Sequence, residues 1–204
     1  KLESLSIKSN VSFLYNSTVK DIVYNKKKYI IKIGEEYLKS DIVINCAGLW
    51  AHKISAMANV YNYDIEFYKG DYYKCTSLKD LNCLIYPIPK VASLGVHSVL
   101  NLNGEVSFGP NIYKVSKIDY KIDDKYHNQY FKEINKFISI NKDDIYCDFS
   151  GIRPKIKFNN NFNDFIIKDE KELGFPNFIN LIGIDSPGVT SCLSIANYVK
   201  NILL

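Results

Sequence analysis

Arginine is almost missing from this chain, which has 25 lysines and a single arginine, Arg153, beside abundant Asn, Ile and Tyr. Such a bias suggests an AT-rich genome, in which arginine drifts to lysine wherever a point charge suffices. Lysine cannot reproduce the planar, two-pronged guanidinium. Arg153 is therefore a candidate for a place that needs the fork; chance retention or a structural ion pair is the alternative. Glycine spacing is equally uninviting, because no two glycines stand two residues apart. The G-x-G-x-x-G dinucleotide fingerprint is thus excluded. Five cysteines, at 46, 75, 83, 147 and 192, include no C-x-x-C and no metal-like pairing. They read as reduced, buried thiols in a reducing compartment. No apolar run approaches the ~20 residues of a membrane span, and no signal peptide is recognisable. The chain reads as soluble, or at most peripheral.

What is present describes a globular protein. The 204 residues are 47% hydrophobic and 14% aromatic, enough for one full domain or two small ones with a real core. The net charge of +4 is mild and the lysines are scattered, so no nucleic-acid partner is implied. Lys26-Lys27-Lys28 is read as a solvated hairpin tip.

Leu2 to Ile7 looks like the last turns of a helix. Val11–Leu14, Thr18–Tyr24 and Tyr29–Ile33 read as short strands, the last two forming a hairpin. Leu38–Asn45 is a further strand with Ile42-Val43-Ile44 as its buried centre, followed by a helix over Trp50–Val60. The pattern then changes to Tyr-rich strands at Ile65–Cys75, Leu84–Ile88, Leu94–Asn101 and Val106–Phe108, with a turn at Asn103-Gly104. A helix is expected around Tyr126–Phe137, then an extended run over Asp144–Ile156, a turn-rich loop at Asn159–Asn163 and a strand at Phe165–Lys168. The pattern predicts an α/β (α+β) chain with an antiparallel sheet inserted in an α/β domain. Residues 61–156 form the inserted domain, and 1–60 with 157–204 form the domain around it.

The last stretch is the most informative. Phe178–Ile184 is an apolar strand, Gly183 to Gly188 breaks it, and Leu193, Ala196, Tyr198, Val199 and Ile202 recur at helical spacing. Strand, turn and helix together aim backbone N–H groups at whatever lies above the turn. An ordinary strand-to-helix connection would look the same.

Five stretches stand in a meaningful order: Ile42–Ala51 with Cys46-Ala47-Gly48, Phe67–Tyr73 with Lys69-Gly70, and Tyr86-Pro87-Ile88-Pro89 with Leu94-Gly95-Val96-His97. Phe108-Gly109-Pro110-Asn111 follows, then Gly151-Ile152-Arg153-Pro154-Lys155 with the Gly183–Thr190 turn. In that order the chain resembles the L-2-hydroxyglutarate dehydrogenase (oxidase) branch of the D-amino-acid-oxidase-like FAD family, over essentially its whole length. The resemblance implies FAD as cofactor and hydride transfer from C2 of a small 2-hydroxy acid to flavin N5. It also implies an electron acceptor, quinone or oxygen, and a place in the cytoplasm or at the inner membrane's periphery, mitochondrial in a eukaryote. His97 is the implied base; a strand histidine bonded to a neighbouring carbonyl is the alternative. Arg153 would clamp the C1 carboxylate, with Lys69, Tyr72 and Tyr86 lining the pocket, although any single tyrosine can equally be core. His52 and His127 read as surface. Ala47, Gly48, Gly70, Gly183, Ser186, Pro187, Gly188, Val189 and Thr190 would meet the cofactor. A turn at Gly48, a bulge at Gly70 and an N-cap at Ser186 are the plain alternatives.

Family members open with the βαβ unit whose glycine fingerprint is absent here. The expectation is a fragment, with glycerol 3-phosphate or amino-acid oxidation, or a non-catalytic remnant serving in assembly, as the rival readings. The chain by itself is expected to be colourless on purification. A visible spectrum showing stoichiometric FAD would overturn that expectation.

Overall fold

The computed structural model describes residues 1–79, 81–88, 95–157 and 164–204. In chain order the helices and strands are α1 (Leu2–Lys8), β1 (Val19–Asn25), β2 (Lys28–Ile33), β3 (Glu36–Ser40), β4 (Val43–Asn45), α2 (Ala51–Met57) and β5 (Ile65–Cys75). There follow β6 (His97–Leu100), β7 (Val106–Gly109), β8 (Tyr113–Val115), α3 (His127–Ile134), β9 (Ile145–Ile156), β10 (Ile166–Asp169), β11 (Phe178–Ile182) and α4 (Cys192–Leu203). Two compact units share them: Lys1–Tyr63 with Ile166–Leu181 and Leu193–Leu204, and Asp64–Phe165 with Ile182–Cys192.

In the first unit β1, β2 and β3 form an antiparallel sheet. Lys26 and Lys27 make its first turn with φ of 49° and 66°, the left-handed pair that a two-residue hairpin requires. Ile22 and Tyr29 from this sheet pack with Ala58 and Phe178, and Tyr29 donates its hydroxyl to the Pro176 carbonyl at 2.9 Å. A second sheet, in the order β10-β11-β4, pairs β11 with β4 in parallel. All five residues of β11 are buried, which suits a strand covered on both faces. Its centre is polar nevertheless. Asn180 donates to Glu170 Oε1 at 2.7 Å and to Ser55 Oγ at 3.0 Å, and accepts from Asn45 Nδ2 at 2.8 Å. This buried network ties β11 to β4 and α2, with Glu170 Oε2 left without a hydrogen-bond partner among the described residues.

The second unit is built on β5. It pairs along one edge with β9 from Ile65↔Ile156 to Cys75↔Ile145, and along the other with β7 and β8. β6 pairs with β7 across the Asn103-Gly104 turn. Among the described residues β9 has no second partner strand, and Pro154, lacking an N–H, is tolerated on such an edge. One face of the sheet holds Tyr73, Val106, Phe108 and Ile145 against Tyr130 and Ile134 of α3. Between β7 and β8 the ladder is interrupted by Pro110 and Asn111. There Asn111 Oδ1 accepts from the Asp71 amide at 2.8 Å, and the Tyr130 hydroxyl takes the Asn111 amide at 2.8 Å while donating to the Asp71 carbonyl. Side chains thus replace the missing ladder bonds.

Several expectations are corrected. Val11–Leu14 is irregular and exposed, set between Asn10 and Asn16, whose φ values are 63° and 54°. Leu38–Asn45 is two strands in two sheets, and Ile42 and Ile44 are 41% and 45% exposed rather than buried. Leu84–Ile88 is not a strand, although Ser98 bonds Ile85 twice, through its amide at 3.1 Å and its hydroxyl at 2.7 Å. β8 was not anticipated. Of the cysteines only Cys75 is buried; Cys46, Cys83 and Cys192 are exposed. Pro89, Leu94 and the Asn159–Asn163 loop lie outside the described residues. No helix among those described is long and apolar enough to cross a membrane.

Gly70 and Gly151 face each other across β5 and β9, yet their surroundings differ. A Cβ on Gly70 would stand 2.6 Å from Pro110 Cβ and 2.8 Å from the Asn111 carbonyl oxygen, whereas one on Gly151 meets nothing within 4 Å. Gly70→Ala should therefore destabilise the chain by about 1–3 kcal/mol, the usual cost of overpacking, and Gly151→Ala should be close to neutral. Thermal melts of the two variants check this. Equal melting temperatures would show that Pro110 yields freely.

Candidate active site

Within the second unit lies a cleft of ≈ 590 Å³ walled by β5, β9 and the turn after β11. That volume falls in the range of about 300–1,000 Å³ usual for small-molecule sites. Gly70 and Tyr72 of β5 reach it because side chains of a strand alternate between faces. Arg153 and Phe149 reach it from β9. Phe149 shares its face with Gly151 and Arg153 by the same alternation, at a bulge where β9 carries one residue more than β5: Asp71 pairs with Ser150 but Tyr73 with Cys147. Its ring stacks on Tyr72 at 4.3 Å with planes 13° apart.

Arg153 is half-buried, and among the described residues it forms no ion pair and no hydrogen bond with its guanidinium. The one carboxylate on the cleft wall, Asp185, is already engaged with Lys155 at 2.7 Å. Burial pushes the Tyr72 phenol above its ordinary range, Arg153 works against that shift, and neighbouring Tyr86 adds to it. Tyr72 therefore stays a hydroxyl donor at neutral pH, near the Arg153 guanidinium.

The turn Ser186–Thr190 closes one side of the cleft. Gly183 has φ +71°, and a Cβ there would collide with Ile156 at 2.6 Å; one on Gly188 would meet Ile184 at 2.5 Å. Both glycines are thus required by packing. Of the amides expected to face a ligand, that of Gly188 is spent on the Asp185 carbonyl at 2.6 Å and Pro187 has none. The amides of Val189 and Thr190 have no acceptor among the described residues. Ser186 makes no capping bond there either, since the α4 helix starts six residues later at Cys192.

His97 opens β6 and is 8% exposed. It is not on the cleft wall, but its cross-strand partner Gly109 lies against Tyr72: a Cβ on Gly109 would stand 2.6 Å from the Tyr72 ring. His97 Nδ1 is 3.0 Å from the Gly95 carbonyl. A carbonyl only accepts, so Nδ1 carries the proton and Nε2 the lone pair. The Tyr86 ring lies on the imidazole at 4.3 Å and 16°.

Lys69 is corrected. It points to the opposite face of β5, buried, donating to the Lys121 carbonyl and paired with Asp71 Oδ1 at 3.8 Å. Alternation along the strand places it with Asp71 and Tyr73, away from Tyr72. His127 is no plain surface residue: its Nε2 is 2.9 Å from the Ile145 carbonyl. In the first unit Ala47 leads into Gly48, whose φ is +54° with nothing within 4 Å of a Cβ position. Gly48 therefore answers to a turn and leaves its backbone open to approach. Sequence reading missed Phe149, although alternation with Gly151 and Arg153 along the extended run was a signal that could have found it.

A family model described as FAD dependent oxidoreductase (DAO) matches residues 2–202. The chain is 29% identical over 232 residues to a mitochondrial L-2-hydroxyglutarate dehydrogenase of Arabidopsis thaliana, covering 98% of this chain and 48% of that one. It is 26% identical to a glycerol 3-phosphate dehydrogenase of Caloramator mitchellensis, covering 97% and 41%. Among solved structures, an L-alpha-glycerophosphate oxidase of Mycoplasma pneumoniae with FAD bound superposes with a TM-score of 0.80 at 24% identity, covering 98% and 53%. The chain thus spans about half the length of the curated relatives it matches. With the family model running from the first helix to the last, and the same fold in a flavoprotein structure, the chain belongs to the DAO family of FAD dependent oxidoreductases.

Proposed function

We propose that this chain carries the substrate side of an enzyme that oxidises L-2-hydroxyglutarate to 2-oxoglutarate. The observation that carries the reading is Arg153, a guanidinium with no anion among the described residues, set in a cleft beside a protonated Tyr72. An unpaired, half-buried cation is costly to keep unless a ligand completes it. A carboxylate completes it bidentately. With Lys69 on the other face of β5 and Tyr86, against expectation, off the cleft wall, the hydroxyl of Tyr72 is the group left to meet a distal carboxylate.

The residues present fit FAD. In the second unit Val189 and Thr190, whose amides have no acceptor among the described residues, line the same cleft as Gly70, and Gly183, Ser186, Pro187 and Gly188 shape the turn that presents them. In the first unit Ala47 and Gly48 offer an open glycine turn. FAD, when bound, supplies the acceptor for the hydride that leaves C2. Arg153 fixes the C1 carboxylate and thereby the direction of the C2–H bond. His97 Nε2 takes the hydroxyl proton as the C2 carbonyl forms. The amides of Val189 and Thr190 stabilise negative charge at the turn. The acceptor that later removes the electrons is quinone or oxygen.

Glycerol 3-phosphate is the second reading, because relatives carrying that activity match nearly the whole chain and a guanidinium also suits phosphate. Turnover of the FAD-loaded enzyme on both substrates separates the two. Oxidation of glycerol 3-phosphate alone would sink the hydroxyglutarate assignment, and oxidation of neither would favour a non-catalytic role.

Two variants test the roles. Arg153→Lys keeps the charge and loses the fork, at roughly 1.5–3 kcal/mol for a charge-assisted bond. kcat/KM should fall about tenfold to a hundredfold at ~1.4 kcal/mol per decade, with an unchanged melting temperature. A variant that melts early yet turns over normally would mark Arg153 as structural. His97→Ala should lower kcat by ~10²–10⁴-fold while FAD absorbance is retained. Normal turnover with the ordinary pH profile would return His97 to the role of a strand residue.

A further inference from the structure

We propose that Tyr86 is a positioning residue for His97, its ring holding the imidazole in one plane so that Nε2 keeps one direction. The inference rests on the reading of His97 as the base, and its geometry stands apart from the cleft wall, where neither residue is found.

Two restraints act on the imidazole. The Gly95 carbonyl, 3.0 Å from Nδ1, decides which nitrogen holds the proton. A single hydrogen bond leaves the ring free to librate about it and to exchange partners. The Tyr86 ring, parallel to within 16° at 4.3 Å, removes that freedom, because offset-stacked aromatic pairs resist tilting. It also covers the imidazole: His97 is 8% exposed while Tyr86 itself is 50% exposed. The outer ring shields the inner one.

Tyr86 stays there although its segment is not a strand. The residue before it is tied to the residue after His97, since Ser98 N donates to the Ile85 carbonyl at 3.1 Å and Ile85 N donates to Ser98 Oγ at 2.7 Å. The residue after it closes on the other restraint. Gly95 has φ +76°, and a Cβ on it would lie 2.7 Å from Pro87 Cγ. The Ile85-Tyr86-Pro87 segment therefore touches Ser98, His97 and Gly95 in turn, and both restraints hang on it. A tyrosine whose face is already occupied in this way acts through the base.

The test is made on the 204-residue chain, whose three histidines give few resonances. Long-range ¹H–¹⁵N spectra report the tautomer of each, and His97→Gln identifies the signals. His97 should show the Nδ1–H tautomer alone, with its ring protons shifted upfield by Tyr86. Tyr86→Phe should keep both signatures. Tyr86→Ala should lose the upfield shift and give mixed tautomers. In the FAD-loaded enzyme Tyr86→Ala should lower kcat by about tenfold to a hundredfold, as misplacement of a reacting group does, with KM within about twofold and Tyr86→Phe normal. A single Nδ1–H tautomer persisting in Tyr86→Ala overturns the proposal. So does a Tyr86→Phe variant that behaves like Tyr86→Ala, since the hydroxyl would then be the active part. A raised KM with unchanged kcat would make Tyr86 a substrate contact and overturn it too. Failure of the base reading itself shows differently, as normal turnover in His97→Ala whatever the tautomer spectra give.

Discussion

The two faces of β5 carry opposite chemistry, and the second unit depends on keeping them apart. On one face Lys69 and Asp71 are buried together, Nζ to Oδ1 at 3.8 Å, with the Tyr113 hydroxyl donating to Asp71 Oδ2 at 2.9 Å and Lys69 donating to the Lys121 carbonyl. On the other face Gly70 and Tyr72 line the cleft. A slip of one residue would exchange the faces. It would drive the lysine and the aspartate toward the ligand and leave Tyr72 among the partners of a buried ion pair. Removing either charge from its partner is strongly unfavourable, although the pair as a whole contributes little net stability. The ion pair thus acts on register more than on stability, and register is what aims Tyr72.

The same logic explains the gap between β7 and β8. A continuous strand there would bring an ordinary side chain over Gly70, where only Pro110 and the Asn111 carbonyl now fit. The interruption leaves the Asp71 amide and carbonyl without strand partners, and Asn111 with Tyr130 supplies them. Tyr130 comes from α3, on the core side of the sheet. The wall of the cleft is therefore set from behind by a helix that never reaches it.

Elements whose signal is local were legible in the sequence. The Lys26–Lys27 turn, the long strands β5 and β9, the apolar β11 and the helix α4 follow from alternation, turn residues and helical spacing. Elements that depend on a distant partner were not. β8 is three residues long and exists because β5 pairs with it. Leu38–Asn45 reads as one strand, yet Asp41 and Ile42 lie where the chain leaves one sheet for another. Leu84–Ile88 has strand composition, but Ser98 bonds it through a side chain as well as an amide, so no ladder forms. At the candidate site the glycines, Arg153, His97 and Tyr72 were readable as residue types. That Lys69 turns away follows only once Tyr72 is known to turn in, whereas Phe149, four residues before Arg153 on the same strand, was open to the same alternation.

Arginine usage and geometry converge on one position. Every cation that forms an ion pair among the described residues is a lysine, including Lys155, which reaches Asp185 two residues beyond Arg153. At those places a point charge on a flexible stem suffices, and most are exposed enough that such a pair is worth little. The one arginine stands where no carboxylate among the described residues meets it. A structural arginine would show the reverse, a fork closed on a carboxylate of its own chain. Compositional drift toward lysine acts on all cationic positions alike, so the position that resisted it is the candidate for one where the shape of the cation matters. In this fold that position opens onto the cleft, beside a tyrosine kept protonated by burial. A planar anion has the shape that would complete such a fork.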